Sequence, residues 1–234
     1  MLHLANSRTF NRVVICTHGF GGSKDAGNIT KFAEKELSKY KEDAVIAFDW
    51  PCHGKDARKK LTIAECMEYL ETVVSYTKET LNAEYIYNYS VSFGGYLTLK
   101  YVAEKNNPFT KIALRAPAIP MYDLMMKNIS KDDLPKLEKG KEVMVGFDRK
   151  MKVDKDLFEE LRQGDVRKYE YFDWADNMMI LHGTKDTIVP IEDSQAFAEN
   201  NVIEFIPVEN ADHPFREPKY MDLAIHHIIE FFAP

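Results

Sequence analysis

No apolar stretch of this sequence approaches the ~20 residues that a helix needs to cross a bilayer. The opening segment, MLHLANSRTFNR, also lacks the charged start and apolar core of a signal peptide. Cysteine is scarce. Cys16, Cys52 and Cys66 are the only three, and their spacing fits neither a disulfide framework nor a metal site, so reduced structural thiols in a cytoplasmic protein are expected. Positive charge is not in excess either: the formal net charge is −6, which leaves no basic stripe to displace counterions from nucleic acid. Internal repeats and low-complexity tracts are absent. The segment HGFGGSK follows neither the dinucleotide-binding nor the Walker pattern in full. Cys52 and His53 are adjacent rather than spaced as ligands. No metal and no cofactor is implied.

What is present is the composition of a globular domain, 45% hydrophobic and 29% charged. A length of 234 residues suits one domain better than two. Short apolar runs alternate with helix-length amphipathic segments. RVVICTH is continuous and β-branched, as in a strand buried on both faces. NITKFAEKELSKY follows with apolar residues at helical spacing, and then come the strand AVIAFDW, the helix TIAECMEYLETVVSYTKETL, the strand AEYIYN and the helix GGYLTLKYVAEKN. KIALRAP, NMMILHG and NVIEFIPV read as further strands, IEDSQAFAEN and YMDLAIHHIIEFFAP as further helices. Such alternation predicts a mostly parallel sheet of about six strands with helices on both faces. Residues 119–173 interrupt it. This insertion is rich in lysine, acid and methionine, and a small cap of helices and loops above the carboxyl ends of the strands is expected there, where open α/β sheets bind ligands. Tyr122, Leu124, Met125, Val143, Val145, Phe147, Leu157, Phe158 and Leu161 supply it with a modest apolar face.

The stretch NYSVSFGGY, Asn88–Tyr96, lies where a strand passes directly into a helix. SVSFG matches the G-x-S-x-G nucleophile elbow at Ser92 and Gly94, with Ser90 in place of the first glycine. The turn is tight, so small side chains are needed two residues before and after the nucleophile. The helix that follows offers backbone N–H groups and a positive dipole end to a developing anion.

Together with other segments, this elbow resembles the α/β-hydrolase superfamily over nearly the whole chain. CTHGFGGSK is similar to the family's His-Gly loop. DWPCHGKD is similar to its D-x-x-G-H-G-x-S segment, with Cys52 and Asp56 in place of glycine and serine. LHGTKDTIVP and ENADHPF are similar to its acid turn and histidine loop. The chain order Ser, Asp, His is the one this fold uses. The resemblance implies an α/β-hydrolase fold and an oxyanion site made by the backbone N–H groups of Phe20 and Phe93.

Chemistry assigns the roles. A serine hydroxyl needs a base to take its proton, and a histidine suits the task. His213 lies in a polar loop after the last strand, whereas His226 and His227 lie on the terminal helix, and His18, His53 and His182 sit beside glycines as loop-organising residues that bond backbone. Asp186, in a turn after a strand, is the expected orienting acid; Asp212 is the competitor by adjacency and is expected to hold the loop. Ser92, Asp186 and His213 are therefore the expected catalytic set, with Phe20, Met121, Met125 and Met126 the expected substrate contacts. The reaction expected is cleavage of a small-molecule carboxylic ester, with an apolar or aromatic acyl group, through an acyl-enzyme. Thioester, monoacylglycerol and amino-terminal peptide cleavage by the same groups stay open, as does a non-catalytic ligand-binding role. One further expectation concerns the sheet edge. The run Ala44–Phe48 carries no lysine or proline to blunt an edge, so it should be covered either by residues Leu2–Asn6 or by a second subunit in a homodimer.

Overall fold

The computed structural model describes residues 1–4, 10–56, 58–146 and 149–233. Its elements, in chain order, are β1 (Leu2–Leu4), β2 (Arg12–Thr17), α1 (Gly27–Lys39), β3 (Asp43–Ala47), α2 (Ile63–Glu79), β4 (Tyr85–Val91), α3 (Phe93–Glu104) and β5 (Lys111–Arg115). Then follow α4 (Met121–Lys127), α5 (Leu134–Glu138), β6 (Val143–Val145), β7 (Met151–Val153), α6 (Lys155–Gln163), β8 (Met178–Gly183), α7 (Ile191–Asn201), β9 (Glu204–Val208) and α8 (Pro218–Phe231). The main sheet has the order β1-β3-β2-β4-β5-β8-β9. Six of its strands run parallel, as the alternation implies, and β1 adds an antiparallel seventh.

Apolar residues on both faces of the inner strands account for the layering. Val14, Cys16, Val45, Tyr89 and Leu181 pack with Ile29 and Phe32 of α1 and Ile225 and Ile228 of α8. Ile15, Ile86, Ile112, Leu114 and Ile180 point the other way, against Cys66 and Leu70 of α2, Leu97 of α3 and Phe197 of α7. All three cysteines are free and buried, and burial pushes the Cys16 and Cys66 thiols up. Among the described residues no helix is long and apolar enough to cross a membrane.

The chain leaves β2 toward β3 on one side and returns to β4 on the other. The strand order therefore reverses between β2 and β4, which opens a crevice beyond their carboxyl ends. Between β5 and β8 the chain makes the excursion read from the sequence. It holds α4, α5 and α6 but also an antiparallel hairpin, β6–β7, with Val143 opposite Val153 and Val145 opposite Met151. Helices and loops alone were expected. Each strand of the hairpin has three residues, too few for period-two alternation to stand out. Leu157, Phe158 and Leu161 of α6 are buried, and Glu160 accepts from the Ile63 amide at the start of α2 at 2.8 Å. Phe147 lies outside the described residues.

The edge of β3 is covered by the chain's own first residues. Leu2, His3 and Leu4 pair with Ile46, Val45 and Ala44, and Ala47 N–H donates to the Met1 carbonyl at 2.8 Å. Ala5 and Asn6, which were expected to extend this strand, lie outside the described residues. A second subunit is not needed for this edge. Deleting Met1–Leu4 bares the β3 ladder, and the expected result is concentration-dependent association by light scattering; a truncated protein that stays monodisperse would refute it.

Candidate active site

Ser92 stands between β4 and α3 with φ 52° and ψ −113°, a left-handed backbone that is costly for any side chain. Formally it occupies the N-cap of α3, where serine commonly turns its oxygen to the amides of the first turn. Here it makes no such bond. Its Oγ instead lies 3.0 Å from His213 Nε2. The first-turn amides of α3 are thereby left to other acceptors. The elbow closes tightly: a Cβ on Gly94 would stand 2.2 Å from Thr17 Oγ1 and 2.9 Å from the His18 carbonyl, and one on Gly95 2.8 Å from Pro117 Cβ.

His213 Nδ1 lies 2.6 Å from Asp186 Oδ2, so serine, histidine and carboxylate form one hydrogen-bonded line. The Asp186 side chain is shielded from solvent. Burial pushes its carboxyl up, but hydrogen bonds from His182 and His213 outweigh this and hold it below the usual carboxylate range. Backbone N–H groups of Ile188 and Val189 reach Asp186 Oδ1, both at 2.8 Å. Asp212 takes the looser role expected of it, accepting from the Arg216 amide at 2.9 Å and pairing with its guanidinium at 2.7 Å.

The His18–Gly22 loop crosses directly over the elbow. A Cβ on Gly19 would sit 3.1 Å from Ser92 Cβ, tighter than an ordinary van der Waals contact, so any larger residue would push this backbone back from the serine. His18 organises the loop: Nδ1 donates to the Gly19 carbonyl at 2.8 Å and Nε2 accepts from Trp50 N–H at 3.3 Å. Burial pushes His18 down to about 4, which keeps the ring neutral. His53 Nδ1 donates to the Pro51 carbonyl at 2.8 Å. The Phe20 ring stands edge-on to Phe93, their centroids 5.7 Å apart. Cys52, where the resembling family has glycine, holds φ 65°, and its N–H donates to Asp56 at 2.9 Å.

A cleft of about 330 Å³ opens onto Ser92 and His213. Its walls include Phe20 and Phe93, Met121 and Met125 of α4, Val145 of β6, and Ile188 and Val189 beyond β8. Met126 does not line it. Met121, Leu124 and Met125 share one face of α4, and Met126, about a quarter-turn round, is half-buried against the core instead. Among the described residues no cluster of histidine, cysteine and carboxylate could hold a metal ion.

Two features lay beyond the sequence reading. His182, expected to bond only backbone, has Nε2 3.0 Å from Asp186 Oδ2 and 3.1 Å from the Val189 carbonyl. Its i,i+4 spacing to the acid, across the Gly183 turn, is the one sequence signal that could have pointed to it. Ser90, read as a small spacer, is a buried hub whose oxygen meets Asn88 Oδ1 at 2.6 Å, Thr17 Oγ1 at 2.7 Å and Thr98 Oγ1 at 2.8 Å. The hydroxyl donates to the amide oxygen and accepts from both threonines, which uses its full bonding capacity.

Residues 46–234 match the prolyl oligopeptidase family. No curated protein matches the sequence. Similar solved structures include Est1E from Butyrivibrio proteoclasticus with ferulic acid bound, at 21% identity and a TM-score of 0.74, over 99% of this chain and 92% of that one. A putative hydrolase from Agrobacterium vitis S4 aligns at 18% identity and a TM-score of 0.81, over 99% and 92% of the two chains. A monoacylglycerol lipase from Paleococcus ferrophilus aligns at 18% identity and 0.70, over 99% and 98%. These likenesses establish the α/β-hydrolase fold.

The Ser90 hub has a measurable consequence. Ser90→Gly leaves the Asn88 amide oxygen and both threonine hydroxyls short of a partner in a buried site, and is expected to cost about 1–3 kcal/mol. Denaturant unfolding measures it, and an unaltered midpoint would contradict the account.

Proposed function

The chain belongs to the prolyl oligopeptidase family of α/β-hydrolases, and we propose that it is a serine hydrolase that cleaves small carboxylic esters through an acyl-enzyme. The observation that carries this reading is the line from Ser92 Oγ through His213 to Asp186, at 3.0 and 2.6 Å. In the proposed reaction His213 Nε2 takes the Ser92 proton as Oγ attacks the ester carbonyl. The oxyanion that forms is held by the N–H groups of Phe20 and Phe93, the second at the start of α3. Losing one such donor typically costs ~3–4 kcal/mol of transition-state stabilisation. His213 then returns the proton to the departing alkoxide, and the acyl group stays on Ser92. A water molecule, deprotonated by His213, releases the acid and restores the serine. Asp186 remains ionised throughout and steadies the imidazolium.

The cleft bears on the substrate. We read the segment between β5 and β8, whose α4 and β6 wall it, as a cap that sets acyl preference. At about 330 Å³ the space is at the small end of ligand pockets, and its lining is mostly methionine, phenylalanine and aliphatic side chains. An apolar or aryl-substituted acyl group of modest size suits such a lining. The similarly folded Est1E holds ferulic acid, an aromatic acid.

The family match raises peptide cleavage as a second reading. A free amino terminus needs a carboxylate partner, and among the described lining residues there is no carboxylate and Lys150 is the only charged side chain. That sign favours an ester over an amino-terminal peptide.

A fluorophosphonate probe and a panel of p-nitrophenyl esters and peptidyl anilides decide between these readings. Ser92→Ala is expected to abolish labelling and lower ester turnover on the order of 10⁴-fold or more. Labelling that survives the substitution would exclude Ser92 as nucleophile, and anilide cleavage faster than ester cleavage would favour the peptidase. Asp186→Asn should reduce kcat on the order of 10⁴-fold through loss of the imidazole tautomer, and Asp212→Asn far less; the opposite ranking would reassign the acid. Met125→Ala is expected to move preference toward longer acyl chains by about tenfold in relative kcat/KM; an unaltered profile would remove α4 from substrate choice.

A further inference from the structure

Asp186 has a second imidazole. His182, near the end of β8, is fully buried and its Nε2 meets the same oxygen, Oδ2, that His213 Nδ1 reaches from the other side. The Val189 carbonyl also faces this nitrogen, at 3.1 Å. A carboxylate and a carbonyl can only accept, so the proton of His182 sits on Nε2. The lone pair on Nδ1 is then free to accept the Ser194 hydroxyl of α7, 2.9 Å away. With Ile188 and Val189 N–H on Oδ1, both carboxylate oxygens carry two donors each. The carboxylate has no rotational freedom left and no vacant direction for water.

We propose that His182 is a positioning residue for the hydrolytic relay: it holds the plane of the Asp186 carboxylate and shares Oδ2 with His213, which sets how strongly that oxygen draws on the His213 Nδ1 proton. This inference rests on Asp186 being the orienting acid. An oxygen divided between two N–H donors offers each a weaker bond than an oxygen given to one alone. Without His182, Oδ2 turns wholly to His213, stabilises its protonated form and makes it a base only at higher pH. The other groups around the pair are few. Arg115 of β5 donates to the His213 carbonyl at 3.3 Å, the Asp212–Arg216 pair lies on the adjoining loop, and Lys150 lines the cleft that His213 faces. Ser194 has a part as well, since its hydroxyl secures the His182 tautomer.

Two amides separate positioning from packing. In His182→Gln the amide nitrogen reaches the place of Nε2 and keeps a donor on Asp186. In His182→Asn it stops near the place of Nδ1 and withdraws that donor while remaining polar. Turnover per fluorophosphonate-titrated site is measured from about pH 5 to 9, the range over which a bell-shaped profile reports essential acids and bases. The asparagine variant is expected to lose about ten- to hundred-fold in kcat, the range for a lost bond to a charged group or a lost outer-shell partner. Its KM should change little, and the acid limb of kcat/KM should move to higher pH; the glutamine variant should recover most of both. Wild-type kcat and limb in the asparagine variant would overturn the inference, as would equal losses in both variants with an unmoved limb. Asp186→Asn measured alongside keeps the two readings apart. If it retains turnover, the acid assignment falls; if it alone is inactive, only the role of His182 falls. Should neither amide variant fold, nitrogen-15 spectra of the wild-type imidazoles still decide, because a proton on His182 Nδ1 contradicts the proposed arrangement.

Discussion

The backbone of Ser92 is the constraint on which the rest of the site depends. A non-glycine residue with φ 52° costs on the order of 1–3 kcal/mol and persists only where its surroundings over-determine it. Three bonds do so here. Ser92 N–H continues the β4–β5 ladder to the Arg115 carbonyl at 3.0 Å, and its own carbonyl accepts from Tyr96 at 3.1 Å and from Ala118 at 3.0 Å. Gly94 against Thr17 and Gly95 against Pro117 remove the side chains that would push the helix away. Relaxed, Ser92 would be an ordinary helix cap with its hydroxyl on the backbone. Strained, it sets that hydroxyl 3.0 Å from His213 Nε2 and makes no side-chain bond to the first amides of α3.

The opposite end of the relay is built from different physics. Asp186 is held by donors rather than by backbone strain, and its charge survives full burial because His182, His213 and two backbone amides replace the water it has lost. A site of this kind has one rigid hydroxyl and one rigid carboxylate. The imidazole between them needs little freedom beyond the exchange of a proton.

Much of this was legible in the sequence. The inner strands were readable because a parallel sheet covered on both faces must be apolar on both, and RVVICT and MMILHG are. Ser92, Asp186 and His213 stood out because tight turns after strands demand glycine, proline and small residues in fixed places. Contacts set by distant parts of the chain were not legible. Ser90 looks like a spacer until Thr17 arrives from β2, 73 residues away. His182 looks like the polar end of a strand, since the turn signature that marks Asp186 does not show that its carboxylate folds back onto the imidazole four residues earlier. The β6–β7 hairpin is too short for its alternation to register, and the separation of Met125 from Met126 required knowing which face of α4 meets the cleft.

The distances along the chain have a consequence for how the site is assembled. Ser92 and His213 are 121 residues apart and Asp186 and His213 are 27 apart, so this line of side chains joins the end of β4, the fourth strand from the β1 edge, to loops at the far side of the sheet. Parallel strands must close such long loops before any contact rewards them, which makes their assembly slow. The elbow can form as soon as β2, β4 and β5 meet, but its hydroxyl has no base until β8, β9 and the loop after β9 have docked. On the proposed mechanism, a chain in which that docking is incomplete lacks a base for Ser92, so labelling by a fluorophosphonate would report closure of the long Ser92–His213 loop as well as the presence of the serine.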